Sequence, residues 1–181
     1  MRGVSRKLVA ALALGAVATA AGADEHRSMA EAEVLSTDGE TLGTATFRQG
    51  PTGVMIRLEL EGLSAGERYH GVHIHGRGDC SDPAEGFQAS GGHLNPQGQE
   101  HGLLNAEGPD AGDLANIYAD SAGAVHAELF TALASLDGSV GAQILDEDGA
   151  ALVIHEQPDD HESQPIGGAG ARIACGEIEA R

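Results

Sequence analysis

The sequence predicts an all-β fold, an eight-stranded antiparallel Greek-key sandwich with two long functional loops. Three observations predict it: apolar residues recur with period two, turn residues punctuate the periodic runs, and no segment has the length and 3.6-residue period of a core helix. The first strand falls at residues 32–34 and the second at 44–47, separated by Asp38-Gly39. Gly50-Pro51-Thr52-Gly53 turns into a third run, where Val54, Ile56, Leu58 and Leu60 alternate with Met55, Arg57, Glu59 and Glu61. That alternation describes a strand with one wet face. Residues 69–75 form another strand. Val125, Ala127 and Leu129 then alternate again, Asp148-Gly149 marks a turn, and residues 151–154 and 172–178 close the fold.

The length of 181 residues suits one domain. With 28 acidic and 10 basic residues the net charge is −18, and there are only three Phe, two Tyr and no Trp. Nucleic acid and anionic membrane surfaces are excluded as partners, because each requires Lys/Arg clusters. Residues 1–23 read as a signal peptide. Arg2, Arg6 and Lys7 precede an apolar run of 14 residues, 8–21, and Ala21-Gly22-Ala23 offers a small-residue cleavage site before Asp24. The run is too short to span a bilayer, so no membrane insertion is expected after its removal. The mature domain, 24–181, carries seven arginines, no lysine and a net charge of −21. It is expected to be exported, to the periplasm. Two cysteines, Cys80 and Cys175, in an oxidising compartment are expected to form one disulfide. Such a bond closes a loop of about 95 residues and contributes about 4 to 5 kcal/mol on the chain-entropy view.

Two connections, 76–112 and 156–170, are too long to be simple turns and are rich in Gly, Pro, Asp and His. Each begins directly after a histidine, which makes them candidates for the site. In the strand before the first, His73 and His75 point to one face, while His70 shares the other with Val72 and Ile74 and is expected to be a hydrogen-bonded core residue. An H-x-H pair alone describes solvent-facing histidines as readily as a metal site. His93, His101 and His155 change the balance, since convergent imidazoles without thiolate suit copper or zinc. Asp110 and Asp113 add hard oxygen donors suited to a second cation such as zinc; the competing reading is two surface acids in an acidic chain.

Six ordered motifs resemble the copper/zinc superoxide dismutase family, particularly its exported bacterial form. They are Gly71-Val72-His73-Ile74-His75, Gly91-Gly92-His93-Leu94-Asn95-Pro96, His101-Gly102, Gly112-Asp113-Leu114, Val153-Ile154-His155-Glu156 and Gly170-Ala171-Arg172-Ile173-Ala174-Cys175-Gly176. The resemblance implies copper held by His73, His75, His93 and His155. It makes His93 a bridge to zinc, which His101 and Asp113 also hold. It implies that Arg172 orients superoxide in the copper channel, that Asp159 links ligands of the two metals from outside, and that Cys80 and Cys175 are the family disulfide. His26, His126 and His161 match no ligand and are expected to be solvated.

The chain departs from the family pattern at two places. Asp110 stands where the family has a third zinc histidine; its shorter side chain puts its reach in question, and a second carboxylate makes the site one charge more negative. Gln164, Pro165 and Ile166 stand where the family commonly offers a cation and a threonine at the channel mouth. The implied reaction is disproportionation of superoxide to dioxygen and hydrogen peroxide, with His93 taking up and delivering a proton. The alternative is a copper-binding or copper-buffering protein with little turnover; a purely structural sandwich leaves the His-bearing loops unexplained. The resemblance leaves a homodimer open.

Overall fold

The computed structural model describes residues 29–63 and 66–181, so the expected export segment and His26 lie outside the described residues. Twelve strands follow in order: β1 Met29–Ser36, β2 Thr41–Gly50, β3 Gly53–Leu60, β4 Arg68–His70, β5 Val72–His75, β6 Ile117–Ala119, β7 Val125–Thr131, β8 Ala134–Ser135, β9 Ala142–Gln143, β10 Ala151–His155, β11 Arg172–Glu177 and β12 Glu179–Ala180. Eight of them form one antiparallel sheet in the order β5-β10-β11-β1-β2-β3-β7, with β12 also paired to β1. Helix is confined to two 3-10 turns, Pro83–Glu85 and Gln88–Ser90, among the described residues.

The connections cross as a Greek key. The chain leaves β3 for β5 at the opposite edge, returns in β7 to pair with β3, and crosses again in β10 to pair with β5. β4, which runs into β5, pairs with β6, and β6 packs on β7, so the sheet curls until its two edges meet. Its inner face is aliphatic. Val54, Ile56, Leu58 and Leu60 of β3 are fully buried, while Met55, Arg57 and Glu59 between them are exposed, as the period of two requires. Each of those buried side chains contributes about 1.5 to 3 kcal/mol of burial free energy.

The structure divides the chain more finely than the sequence does. The expected strand 172–178 is interrupted at Ile178, and β4, β6, β8 and β9 are each two or three residues long. β8 and β9 pair in parallel, an exception to the antiparallel pattern. Cys80 and Cys175 are disulfide-bonded, tying the 76–116 connection to β11. Phe87 is fully buried beside them with Ala151 and Val153, forming a second small core beneath the first long loop.

Candidate metal centre

The edge strand β5 is the base of the site, because it carries His73 and His75 and pairs with β10, which ends at His155. A register shift between Ile154 and His155 sets His155 opposite Arg172 of β11. The first long loop folds back on the other side of β5. Leu94 N donates to Ile74 O at 2.8 Å, Ile74 N donates to Gly112 O at 2.9 Å, and bridges join His75 to His93 and His73 to Asp113. This approach requires glycine at 112, since a Cβ there would collide with the Ile74 carbonyl. Five imidazoles converge as a result. Ring centroids lie 4.1 Å apart for His73 and His93, 4.9 Å for His73 and His155, and 5.3 Å for His93 and His101.

Hydrogen bonds on the outer side of each ring fix which nitrogen faces inward. His75 Nδ1 donates to Gly91 O at 3.0 Å and His155 Nδ1 donates to Gly170 O at 3.1 Å, which turns both Nε2 atoms inward. His73 is held the other way round, its Nε2 2.9 Å from Asp159 Oδ2, so Nδ1 faces in. His73 Nδ1, His75 Nε2, His93 Nε2 and His155 Nε2 are all buried without a hydrogen-bond partner. A buried polar atom left unpaired costs about 1 to 3 kcal/mol, so four in one place mark a position made for a ligand they share. Donor atoms of His73, His75 and His93 lie within 4.8 Å of one another, and His155 flanks this trio. His70 is in the core as expected, fully buried, with Nδ1 donating to His155 O at 2.8 Å.

Electrostatics separate these rings. Burial lowers the pKa of His73, and its bond to Asp159 offsets only part of that. Burial, with His93 and Arg172 nearby, holds His75 well below the ordinary histidine value. Burial and His73 push His155 down to about 3. All three are neutral at physiological pH, the state in which imidazole binds metal. His93 goes the opposite way: burial opposes its charge, but Asp110 and Asp113 outweigh burial and raise it to about 9.

A second donor set adjoins the first through His93. His93, His101, Asp110 and Asp113 offer atoms within 4.8 Å of one another. Asp110 reaches this set: its Oδ2 is 2.8 Å from His93 Nδ1, while its Oδ1 accepts from Gly112 N at 2.9 Å. Asp113 repeats the arrangement. Its Oδ1 is 2.6 Å from His101 Nδ1, and its Oδ2 accepts from Gly102 N at 2.8 Å and Asp110 N at 3.0 Å. Each carboxylate thus has one oxygen tied to backbone N–H and one facing the rings, so the pair is pre-oriented for single-oxygen coordination. Two imidazole nitrogens and two carboxylate oxygens suit a four-coordinate zinc.

Asp159 spans the two sets, holding His73 Nε2 with one oxygen and His101 Nε2, at 3.1 Å, with the other. It is buried, yet its carboxyl stays well below the usual range, because bonds from His73 and the His161 backbone outweigh the burial that would raise it. What positions this residue has no signature in the sequence. Asn116 Nδ2 donates to Asp159 O at 2.8 Å, and Asp159 N donates to Asn116 Oδ1 at 2.9 Å. His161 departs from the solvated role expected of it: it is half-buried, with Nδ1 3.4 Å from Asp159 Oδ2 and Nε2 3.2 Å from Asn116 Nδ2. Loop closure delivers it there, through a left-handed backbone at φ 64°. His126, by contrast, is exposed on β7 as expected.

A cavity of about 480 Å³ opens onto both sets, lined by His75, His93, His155, Arg172 and the Gln164-Pro165-Ile166 stretch. Arg172 is its one guanidinium among the described lining residues. Nη1 donates to Phe87 O and Nη2 to Gly91 O, both at 2.7 Å, so the planar fork is held in one orientation. Gln164 makes a bond that the sequence does not announce: Nε2 donates to His101 O at 2.7 Å, while Oε1 accepts from His101 N at 3.2 Å.

An antiparallel Greek-key sandwich carrying adjoining imidazole and imidazole-carboxylate donor sets that share one histidine defines a two-metal β-sandwich protein. Comparison with known proteins identifies its family. Residues 41–178 match the family model of copper/zinc superoxide dismutase. The chain is 46% identical to a Cu-Zn superoxide dismutase of Caulobacter vibrioides, over 83% of this chain and 85% of that one. It is 44% identical to superoxide dismutase 2 of Aquifex aeolicus, over 82% and 85%. A crystal structure of a SOD-like protein from Bacillus subtilis superposes with a TM-score of 0.75 at 35% identity, covering 81% of this chain and 96% of that one. The chain belongs to the copper/zinc superoxide dismutase family.

Proposed function

We propose that this protein disproportionates superoxide to dioxygen and hydrogen peroxide, with copper held by His73, His75, His93 and His155 and zinc by His93, His101, Asp110 and Asp113. The observation that carries the reading is the set of four partnerless ring nitrogens facing one position, in a chain of this family. Bound copper supplies the one-electron couple Cu(II)/Cu(I), through which two superoxide anions and two protons become one dioxygen and one hydrogen peroxide. The protein supplies the rest. Gly91 O, Gly170 O and Asp159 hold three rings in the tautomer that offers metal a lone pair. The oriented Arg172 fork attracts and aligns the anion. His93 has a nitrogen toward each metal position, so Nε2 can hold and release the proton that peroxide needs while Nδ1 stays anchored.

The zinc site is read as weaker than one with a third imidazole. Asp110 reaches the metal position, but its negative charge also raises the proton affinity of His93, which zinc must overcome. The rival reading, a copper-binding protein with little turnover, draws on Asp110 and on the uncharged Gln164-Pro165-Ile166 mouth; the oriented Arg172 argues against it. Residues 1–23 are read as a signal peptide and the mature domain as periplasmic, from the basic flank, apolar run and small-residue cleavage site. Superoxide consumption by the copper- and zinc-loaded mature protein, measured against equal free copper held by a chelator, tests the reading. Turnover per bound copper supports it, and bound copper without turnover establishes the buffering role.

A further inference from the structure

Eight histidines fall within the described residues. Five form the metal centre, His70 is a core residue donating to His155 O, and His126 is exposed on β7. His161 alone adjoins the centre without a part in it. It is also held at a cost, because its backbone is left-handed at φ 64° and its Nδ1 is buried without a hydrogen bond. Strain of this kind persists only where the surroundings over-determine it, and it clusters at functional sites.

The neighbours of His161 fix where its ring carries a proton. Asn116 Oδ1 accepts from Asp159 N at 2.9 Å, so the other amide atom is Nδ2, and it donates one hydrogen to Asp159 O at 2.8 Å. Its second hydrogen meets His161 Nε2 at 3.2 Å, which makes Nε2 the acceptor and leaves the proton of the neutral ring on Nδ1. Nδ1 lies 3.4 Å from Asp159 Oδ2. His161 thus addresses both oxygens of one carboxylate. Its backbone N donates to Oδ1 at 2.6 Å, beside His101 Nε2 at 3.1 Å, and its Nδ1 stands at Oδ2, beside His73 Nε2 at 2.9 Å. Each oxygen faces one ring of the metal centre and one N–H of His161. The backbone bond closes an Asx turn, and the left-handed φ brings the ring back over the same carboxylate.

We propose that His161 is a positioning residue that sets how strongly Asp159 pulls on His73, and so how much electron density His73 Nδ1 offers the copper position. The inference rests on the reading of His73 as a copper ligand. A carboxylate that accepts N–H from one side of an imidazole makes the nitrogen on the other side more basic. A second N–H at the same oxygen shares the carboxylate's charge and weakens that pull. The side chain of Asp159 is fully buried, so water does not take over the sharing when His161 is absent. With His161 present, His73 Nδ1 is the weaker donor to Cu(II), and the Cu(II)/Cu(I) potential is higher than it is without the ring. His161 exerts this effect from outside every donor set that can hold a metal.

Three variants isolate the Nδ1 hydrogen. His161→Asn puts an amide N–H where Nδ1 stands and tolerates the left-handed backbone. His161→Gln carries its amide out to the Nε2 position, and His161→Gly removes the ring while relaxing the backbone, so that one loss variant remains informative if the other fails to fold. All three keep the backbone bond to Asp159 Oδ1. In metal-free protein, nitrogen-edited NMR follows the His73 Nε2 hydrogen, which is expected to move downfield in His161→Gln and His161→Gly and to hold its wild-type position in His161→Asn. In copper- and zinc-loaded protein the potential is expected to fall by about 30 mV in the two loss variants and to return in His161→Asn. That shift is about 3-fold in the ratio of Cu(II) to Cu(I) affinity at 59 mV per tenfold, the low end for one hydrogen bond. A His73 resonance that stays put in the loss variants, or moves equally in all three, overturns the proposal and leaves the copper reading intact. A resonance that moves as expected beside an unchanged or higher potential overturns the step from ring to metal. Protein that binds no copper overturns the copper reading instead, while the metal-free resonances still decide the link from His161 to His73.

Discussion

Replacing Asp110 with Asn preserves the shape of the zinc-facing side chain and removes its charge, and the consequence depends on pH. In the metal-free protein His93 has a pKa of about 9, because Asp110 and Asp113 outweigh the burial that opposes its charge. Zinc needs the nitrogen that holds this proton, Nδ1, which lies 2.8 Å from Asp110 Oδ2. Each pH unit below a ligand's pKa costs tenfold in apparent affinity, so proton competition at His93 weakens zinc binding by about 100-fold at pH 7 and vanishes above about pH 9. Asp110→Asn lowers the His93 pKa, relieving competition, while it removes an anion from the zinc shell. Above pH 9 only the second effect survives, and the wild type binds zinc more tightly. Below pH 9 relief favours the variant, so the ratio of wild-type to variant affinity falls as pH is lowered from 9 to 6.5. Competition with a chromophoric zinc chelator on copper-free protein measures both affinities. A ratio constant with pH refutes the link between Asp110 and His93.

The same reasoning predicts that Asp110→His raises zinc retention during chelator dialysis, because it adds an imidazole and removes a carboxylate from His93 together; equal or lower retention shows Asp110 to be a fully competent ligand. Arg172→Ile lowers the rate per copper about 10-fold. Opposite charges about 4 Å apart attract by about 1 kcal/mol in water and about 4 at an effective dielectric of 20, and this open channel lies toward the first limit. Pulse radiolysis at matched copper content decides it, and an unchanged rate removes Arg172 from substrate binding. With 28 acidic residues against 10 basic ones, salt screens distant repulsion before the charge inside the channel. The wild-type rate therefore stays flat or rises up to about 0.15 M, where the Debye length is about 8 Å. A steep fall with salt contradicts that reading. Gln164→Ala removes two bonds to the His101 backbone, leaving His101 O only its contact from Asn105. Zinc dissociation is expected to quicken about 2- to 10-fold, at about 0.5 to 1.5 kcal/mol for a typical bond. No change in dissociation rate makes the clamp irrelevant to zinc.

What was legible in the sequence follows from how locally each feature is encoded. β3 could be read residue by residue, because its alternation is long and its two faces differ chemically. β8 and β9, of two residues each, span a single period with no repeat and leave no pattern. Histidines and acids announce themselves by type, so the members of both donor sets were visible. Asn116 and Gln164 were not, since an amide that clamps a distant backbone has no local signature. The reach of Asp110 was also invisible, being set by the approach of the Gly112 backbone to Ile74. His161 departs from its expected solvated role because its contacts depend on how the second long loop closes over Asp159.

The proposed function requires that the four rings form one copper site that turns over superoxide. Metal analysis of the protein beside its His155→Ala variant, with superoxide consumption measured on the same samples, separates the two metals, because His155 lies outside the donor set assigned to zinc. His155→Ala is expected to keep its zinc, lose or loosen its copper, and show no dismutation above free-metal controls. A variant that keeps wild-type turnover per copper contradicts it.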